Sequence, residues 1–312
     1  MNSNWTTLRR LLLLLPLLFL FSACQARQAP PAEDQEQKTA WMEMVKKAED
    51  IPVSAKEGDI VLVNEILSRF SVKGEERGKP GKLIIALGGQ FTGTPYVGHT
   101  LEANDTERLV VNIREMDCTT FVETILALAL TIEQGKTSFE DFAGNLAFLR
   151  YREAYPNGYA SRLHYFSEWM HLHTQQGLLE LLSDQIGSQA FDNRVSFMST
   201  NPEAYKQLSD PVLVQLIKEA EKAVSVQKMN YIPKEEIREL EKYIQNGDII
   251  AFTTDIEGLD VSHTGFAYFR EDRLHLLHAS TRSNSVEISP VPLSDYLSGM
   301  GRVTGILVAR VK

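Results

Sequence analysis

Cys118 stands in the run Met116-Asp117-Cys118-Thr119-Thr120-Phe121, where a helical pattern begins. A thiol at a helix start feels the positive end of the helix dipole, which favours thiolate over thiol. The other cysteine, Cys24, falls at the end of an N-terminal apolar run. Cys118 then has no internal disulfide partner and is either an inert buried residue or a nucleophile. The partners a nucleophilic thiol needs lie downstream, in Ser262 to Ser280. Two strands there are joined by Glu271-Asp272. With those two residues as the whole loop, Arg270 faces Arg273, Gly265 faces His278 and His263 faces Ser280. His263 and His278 then share one sheet face as diagonal neighbours, with Cβ atoms about 7–8 Å apart. Gly265 leaves room for the imidazole opposite it, whereas a slip of one residue would put the two rings on opposite faces. In this arrangement Cys118 attacks a carbonyl carbon, His263 takes the thiol proton, and His278 orients His263 and supports the imidazolium. The Cys118 backbone N–H, at a helix start, can donate to the oxyanion. The expected chemistry is that of a cysteine hydrolase whose thiol is reactive near neutral pH.

Other reactive side chains are weighed against that triad. A metal site built from Cys118 and the two histidines lacks a close-spaced ligand pair such as HExxH or CxxC, so no metal is predicted. Without a second cysteine near Cys118, dithiol redox chemistry is disfavoured. His164, His171, His173 and His275 read as surface or core residues, and His99 lies in a glycine-rich loop. Arg162 suits a peptide carboxylate, because guanidinium pairs with it bidentately. Tyr96, Tyr165 and Trp169 suit stacking on sugar or peptide, or else packing in the core. His164 converges with Arg162 only if that segment is a loop or strand. Asp260 either lines the cleft or serves a turn.

These residues need elements to hold them. Asp117 to Gln134 is the strongest helical pattern, with Phe121, Val122, Ile125, Leu126, Leu128, Ala129 and Ile132 on a wide apolar face. Asp117 is its expected N-cap and Gly135 its stop. Thr137-Ser138-Phe139-Glu140 reads as a capping box opening a helix to about Arg152. Residues 39–72 read as two helical pieces, and further helices are expected near 162–182, 210–225 and 233–245. Lys82 to Leu87 (KLIIAL) reads as a strand before a long Gly-, Thr- and aromatic-rich loop, and Arg108 to Ile113 as another. Loops of that length in compact domains are commonly functional. From Gly247 onward, GDIIAFTT, HTGFAYF, RLHLLHAS, SVEI and TGILVARV are short β-rich runs. Helices before a mainly antiparallel sheet make an α+β plan.

The chain has 312 residues. Arg9-Arg10, the apolar run Leu11 to Phe21 and Ser22-Ala23-Cys24 describe a secretory signal over residues 1–23. Ser-Ala-Cys resembles a bacterial lipobox, with Phe21 where Leu is usual. The resemblance makes Cys24 the lipidated first residue of the mature protein, and Gln25 after it points to an outer membrane. Residues 24–38 read as a flexible tether, leaving 39–312 as one domain. The formal charge of −9 becomes about −11 without residues 1–23, which hold Arg9 and Arg10 and no acid. That balance argues against nucleic acid or an anionic membrane surface as partner. Membrane attachment would come through lipid alone, and a monomer in the periplasm or cell envelope is expected.

Asp-Cys at a helix start, Ser262-His263-Thr264-Gly265 opening a strand and His278-Ala279-Ser280 on the next resemble the NlpC-type, papain-like cell-wall hydrolases. The resemblance implies a nucleophile-bearing helix packed on an antiparallel sheet, here with extra helices. It maps nucleophile, base and third polar residue onto Cys118, His263 and His278. The exported N-acetylmuramoyl-L-alanine amidase-like branch is more similar still. Gly93-Thr94-Pro95-Tyr96, Thr100-Leu101-Glu102, Asp117 to Glu123, Arg162 to Trp169 and Tyr231-Ile232-Pro233 carry that likeness. DCTTF departs from the DCSG-like motif of the wider clan, and the departure points to this branch. The branch implies cleavage of the amide between the muramic acid lactyl group and L-alanine in muropeptides, often with an anhydro-muramic end, and no cofactor. Two readings stay open beside it. One is a D-glutamyl to diaminopimelate endopeptidase of the same clan. The other is a non-catalytic, lipid-anchored wall-binding protein.

Overall fold

The computed structural model describes residues 51–73, 78–192 and 194–312, together with Val45. The signal segment 1–23, Cys24, the tether 24–38 and most of the first helical piece lie outside the described residues. The fold is mixed α+β. Helices α1 (Glu57–Lys73), α2 (Pro80–Gln90), α3 (Cys118–Glu133), α4 (Phe139–Arg150) and α5 (Phe166–Gln175) come first in the chain. The sheet is antiparallel throughout, in the order β4 (Gln189–Ala190), β5 (Asn230–Pro233), β10 (Val303–Val311), β6 (Ile249–Thr254), β7 (Val261–Arg270), β8 (Arg273–Ser280), β9 (Ser285–Ile288). Strand β3 (Leu179–Leu181) also pairs with β10, and β1 (Val53–Ala55) and β2 (Leu109–Val111) form a separate parallel pair. Helix α6 (Pro211–Ser225) and the short α7 (Leu293–Ser298) complete the parts used below. Among the described residues no helix is long and apolar enough to cross a membrane.

Every residue of α3 from Thr120 to Ile132 is buried, as an all-round apolar helix requires. One side of α3 meets α1, α2 and α4, and the other meets β7 and β8, where Phe121 lies edge-on to Phe266 at 5.8 Å. The polar Glu123 is carried inside because Arg150 of α4 meets it at 2.7 Å. Arg150 also donates to the Val110 carbonyl at 2.7 Å, joining α3, α4 and β2.

Lys82 to Leu87 is helical, not extended. Pro80 starts α2 at a position where its missing N–H costs little. Leu83, Ile84, Leu87 and Gly88 then form the buried stripe of a helix. Gly88 lets the helix approach the sheet closely, since a Cβ on it would sit 2.7 Å from the Leu277 Cδ2 of β8 and that side chain would have to shift. The helix after Gly135 is capped by Ser138 on the Asp141 N–H, one residue later than the pattern indicates, and ends at Arg150. Residues 162–182 give only α5 and then β3. Residues 233–245 give a short helix, Ile237–Leu240, and a 3-10 turn, Glu241–Tyr243.

The hairpin of β7 and β8 has the predicted register, from Arg270–Arg273 to Phe266–Leu277. Its loop is Glu271-Asp272, with φ of 50° and 61°, the left-handed pair of a two-residue hairpin turn. On the other side of β7, Phe252 pairs with His263 and Thr253 with Val261, so Ser262 is the extra residue of a bulge. Bulges re-aim neighbouring side chains, and this one adjoins His263.

A Cβ on Gly265 would lie 2.8 Å from the His278 Cβ and 2.8 Å from the Leu277 carbonyl. Gly265→Ala is expected to destabilise the fold by about 1–3 kcal/mol through overpacking, read as a lower urea midpoint at unchanged m-value.

Candidate active site

The site grows from three local devices. The first is the start of α3. Asp117 caps it, accepting from the Thr120 N–H at 2.8 Å, while the Thr120 hydroxyl accepts from the Asp117 N–H at 2.9 Å. This reciprocal box fixes the first turn, and Cys118 is its first helical residue. The second device is the glycine-rich loop. Gly93 N–H donates to the Val286 carbonyl at 2.8 Å, Val286 N–H to Thr94 at 2.8 Å, and Tyr96 N–H to Asn284 at 2.9 Å. The loop then reaches the approach to α3, where Val97 N–H donates to Met116 at 3.1 Å and Met116 N–H to Pro95 at 3.1 Å. Tyr96 is thereby held close enough for Cys118 and Asp117 to act on its hydroxyl electrostatically. Burial, then those two groups, push the Tyr96 phenol up to about 12.

The third device is the hairpin. His263 Nε2 and His278 Nδ1 are 2.6 Å apart, with the rings nearly perpendicular at 87°. His278 is fully buried and His263 half-buried. The Cys118 sulfur meets β7 through the backbone N–H of Thr264, the residue after His263, and also receives the Thr119 side chain and backbone N–H. The fold therefore gathers the α3 thiol and both imidazoles around the start of β7.

The electrostatics differ from the helix-dipole expectation. Burial first, and then the Asp117 carboxylate beside it, push the Cys118 thiol up to about 12, against the N–H donors at the sulfur. Burial lowers His263 to about 3, helped by His278, and lowers His278 to about 4, helped by Arg282. These shifts favour a neutral thiol and two neutral imidazoles at rest.

The other predicted contact residues are mostly engaged elsewhere. Arg162 is buried and does not offer its guanidinium to a ligand. Its Nε and Nη2 meet Glu107 at 2.8 and 2.9 Å, and Nη1 meets Glu102 at 2.8 Å. His164 bonds the Tyr159 carbonyl at 2.9 Å and packs on the Tyr159 ring. Tyr165 is buried, donating to Glu221 at 2.7 Å and accepting from the Met198 N–H at 3.0 Å. Trp169 is fully buried, stacked on Phe166 at 4.9 Å. Asp260 is buried and accepts from the Ser167 N–H at 2.7 Å in the first turn of α5. Tyr96, the sixth of the predicted contact residues, is the one associated with Cys118. Sequence reasoning missed Thr264, Thr119 and Glu287. Glu287 faces His278 across the β8–β9 ladder, a pairing that follows once SVEI is folded back on RLHLLHAS.

A family model described as AmiA-like, N-acetylmuramoyl-L-alanine amidase-like, matches residues 86–303. The chain belongs to this family. The AmiA-like match spans α3 and both histidine strands. Among solved structures, an N-acetylmuramoyl-L-alanine amidase from Bacteroides uniformis is 40% identical, covers 75% of this chain and 100% of its own, and superposes with a TM-score of 0.72. A Bacteroides fragilis protein provisionally named as a xylanase is 43% identical, covering 72% of this chain and 99% of its own at TM-score 0.69. A Legionella pneumophila protein at 22% identity shares the fold, with 82% and 97% coverage and TM-score 0.60. No functionally curated protein matches the chain.

Arg162→Met would leave Glu107, itself 5% exposed, without its cation. Breaking a buried pair from one side costs about 3–5 kcal/mol, so this variant is expected to unfold well before the parent in urea. His173 and His278 are both fully buried, and burial holds both near 4 against an ordinary 6.5. The unfolded chain therefore binds more protons, and their contribution is full above pH 6.5 and drains as pH falls towards 4. Each is expected to remove up to about 1.4 kcal/mol per pH unit in that window. Equal unfolding free energies at pH 7 and pH 5 would contradict this.

Proposed function

We propose that the protein hydrolyses the amide between N-acetylmuramic acid and L-alanine in peptidoglycan fragments, with Cys118 as nucleophile, His263 as base and His278 as its orienting partner. The observation that carries this reading is the 2.6 Å imidazole pair beside the strand residue that donates to the Cys118 sulfur, in a chain of an amidase-like family. The arrangement is papain-like and NlpC-type: a thiol at the start of a buried helix, and its base on the sheet the helix packs against.

The neutral resting state defines the proton path. His263 Nε2 is engaged with His278, which leaves Nδ1 to take the thiol proton as sulfur attacks the carbonyl carbon. Negative charge passes from sulfur to the carbonyl oxygen, where the Cys118 N–H at the α3 start can receive it. The tetrahedral centre then collapses. The C–N bond breaks, His263 returns its proton to the departing L-alanine amine, and a thioester to the lactyl carbon remains. Water attacks that thioester with His263 again as base, releasing the muramoyl carboxylate and the thiol. A buried neutral pair suits this sequence, because charge develops only as substrate replaces water around it.

A glycosidase would need two facing carboxyl groups, whereas this site is built on a thiol and two imidazoles and Asp117 spends its carboxylate on the α3 cap. The fragments proposed as substrate carry an anhydro-muramic end. Residues 39–312 would act as a monomer exported to the cell envelope and anchored at the outer membrane through lipid on Cys24.

The test is incubation with a defined anhydro-muropeptide and mass analysis of the products. A free peptide beginning with L-alanine supports the proposal, and a dipeptide cut after D-glutamate would replace it with endopeptidase activity. Cys118→Ser is expected to lower turnover by roughly a thousandfold or more while still binding the fragment. A variant that cleaves like the parent would exclude Cys118 as nucleophile.

A further inference from the structure

His278 has two ring nitrogens, and the site as described uses one. Nδ1 lies 2.6 Å from His263 Nε2. Nε2 is buried and has no hydrogen-bond partner among the described residues. It points towards Glu287, whose Oε1 is 3.9 Å away and which stands directly opposite on β9.

Proton bookkeeping decides what Nε2 carries. For His263 Nδ1 to accept a thiol proton it must start unprotonated, so the ring hydrogen of His263 sits on Nε2 and is donated to His278 Nδ1. A neutral imidazole has one N–H, so that of His278 must be on Nε2. This makes the orphan a buried donor, which unpaired costs about 1–3 kcal/mol. The opposite tautomer would turn His278 Nδ1–H towards His263 and put a hydrogen on His263 Nδ1, which disables the base. A carboxylate near His278 Nε2 selects the productive tautomer, because it accepts and cannot donate. At 3.9 Å the contact is too long for a direct hydrogen bond. Glu287 is 27% exposed, so its side chain has freedom to swing inward or to hold a bridging water.

We propose that Glu287 is a positioning residue: its carboxylate holds His278 with the hydrogen on Nε2 and so keeps the bare Nδ1 of His263 directed at Cys118. The inference rests on the reading of Cys118 and His263 given above. Only one proton moves, from the Cys118 sulfur to His263 Nδ1. The hydrogens on both Nε2 atoms stay in place, and Glu287 stays a carboxylate that offsets the imidazolium formed. The ionisable groups facing His278 are His263 on β7, Glu287 on β9, Tyr296 on α7 with its ring 5.7 Å away, and Arg282 in the β8–β9 turn. Arg282, stacked over Tyr296 at 4.7 Å, opposes a positive charge on His278, and Glu287 is the group that favours one.

Long-range proton–nitrogen NMR on histidine-labelled protein reads the tautomers without substrate. In the parent, both His263 and His278 are expected with hydrogen on Nε2. Glu287→Ala is expected to shift His278 towards the Nδ1 tautomer and to lower kcat about tenfold, the order seen when outer partners of functional histidines are removed, with KM unchanged. Glu287→Gln removes the charge and can donate as well as accept. It is expected to weaken the tautomer preference and to move the acid limb of kcat/KM down by about one pH unit, because a carboxylate that had favoured the protonated pair is gone. A parent His278 with hydrogen on Nδ1 overturns the proposal. So does Glu287→Ala with parental tautomers, or with altered tautomers and parental kcat. A protein that cleaves no muropeptide but shows the Glu287-dependent tautomer keeps the positioning role and refutes the amidase reading instead.

Discussion

The site depends on the register of one hairpin. A two-residue turn at Glu271-Asp272 fixes which residues of β7 face β8, and strand side chains alternate faces with a period of two. That parity carries His263 and His278 to the same side, where their rings meet at 2.6 Å. Gly265 is the steric complement, since any side chain there would run into His278. The bulge at Ser262 lies at the end of this pairing, where the chain turns from the ladder to the site.

The thiol is positioned from the opposite direction, by a helix with no solvent face through most of its length. Its first turn is held by its own cap and by the glycine-rich loop, which is bonded to β9 at one end and to Met116 at the other. The β8–β9 pair therefore serves both halves of the site. It carries His278 on one strand, and it anchors the loop that leads to Cys118. Behind it, Glu123 with Arg150, and Arg162 with Glu102 and Glu107, hold the helices and the loop in fixed relation through buried ion pairs. Such pairs add little net stability over apolar packing, yet breaking one side is costly, which makes the geometry hard to relax.

Much of this was legible in the sequence. The α3 pattern, its Asp117 cap, the β-rich C-terminal half and the hairpin register all follow from period, turn chemistry and small residues. Two kinds of information were not legible. KLIIAL has no polar break to separate a buried helix from a buried strand, and Pro80 decided it. The partners of long side chains were equally hidden. Arg162 suits a carboxylate, and it found two, but from Glu107 and Glu102 of its own chain. Tyr165 and Trp169 filled the interior, as aromatics commonly do. The setting of the thiol was hidden for a related reason. A helix start favours an anion, but the neighbouring carboxylate and the loss of water outweigh it here, and neither effect can be sized from the order of residues.

Strand β9 ends the sheet, and its outer side would expose unpaired amide and carbonyl groups. Residues 93–96 lie along it and take up the groups of Val286 and Asn284. An uncovered border of this kind is a template on which another extended chain can add itself and begin aggregation. Sealed by its own loop, the border offers no such template there, a protection that persists whether or not any ligand is bound.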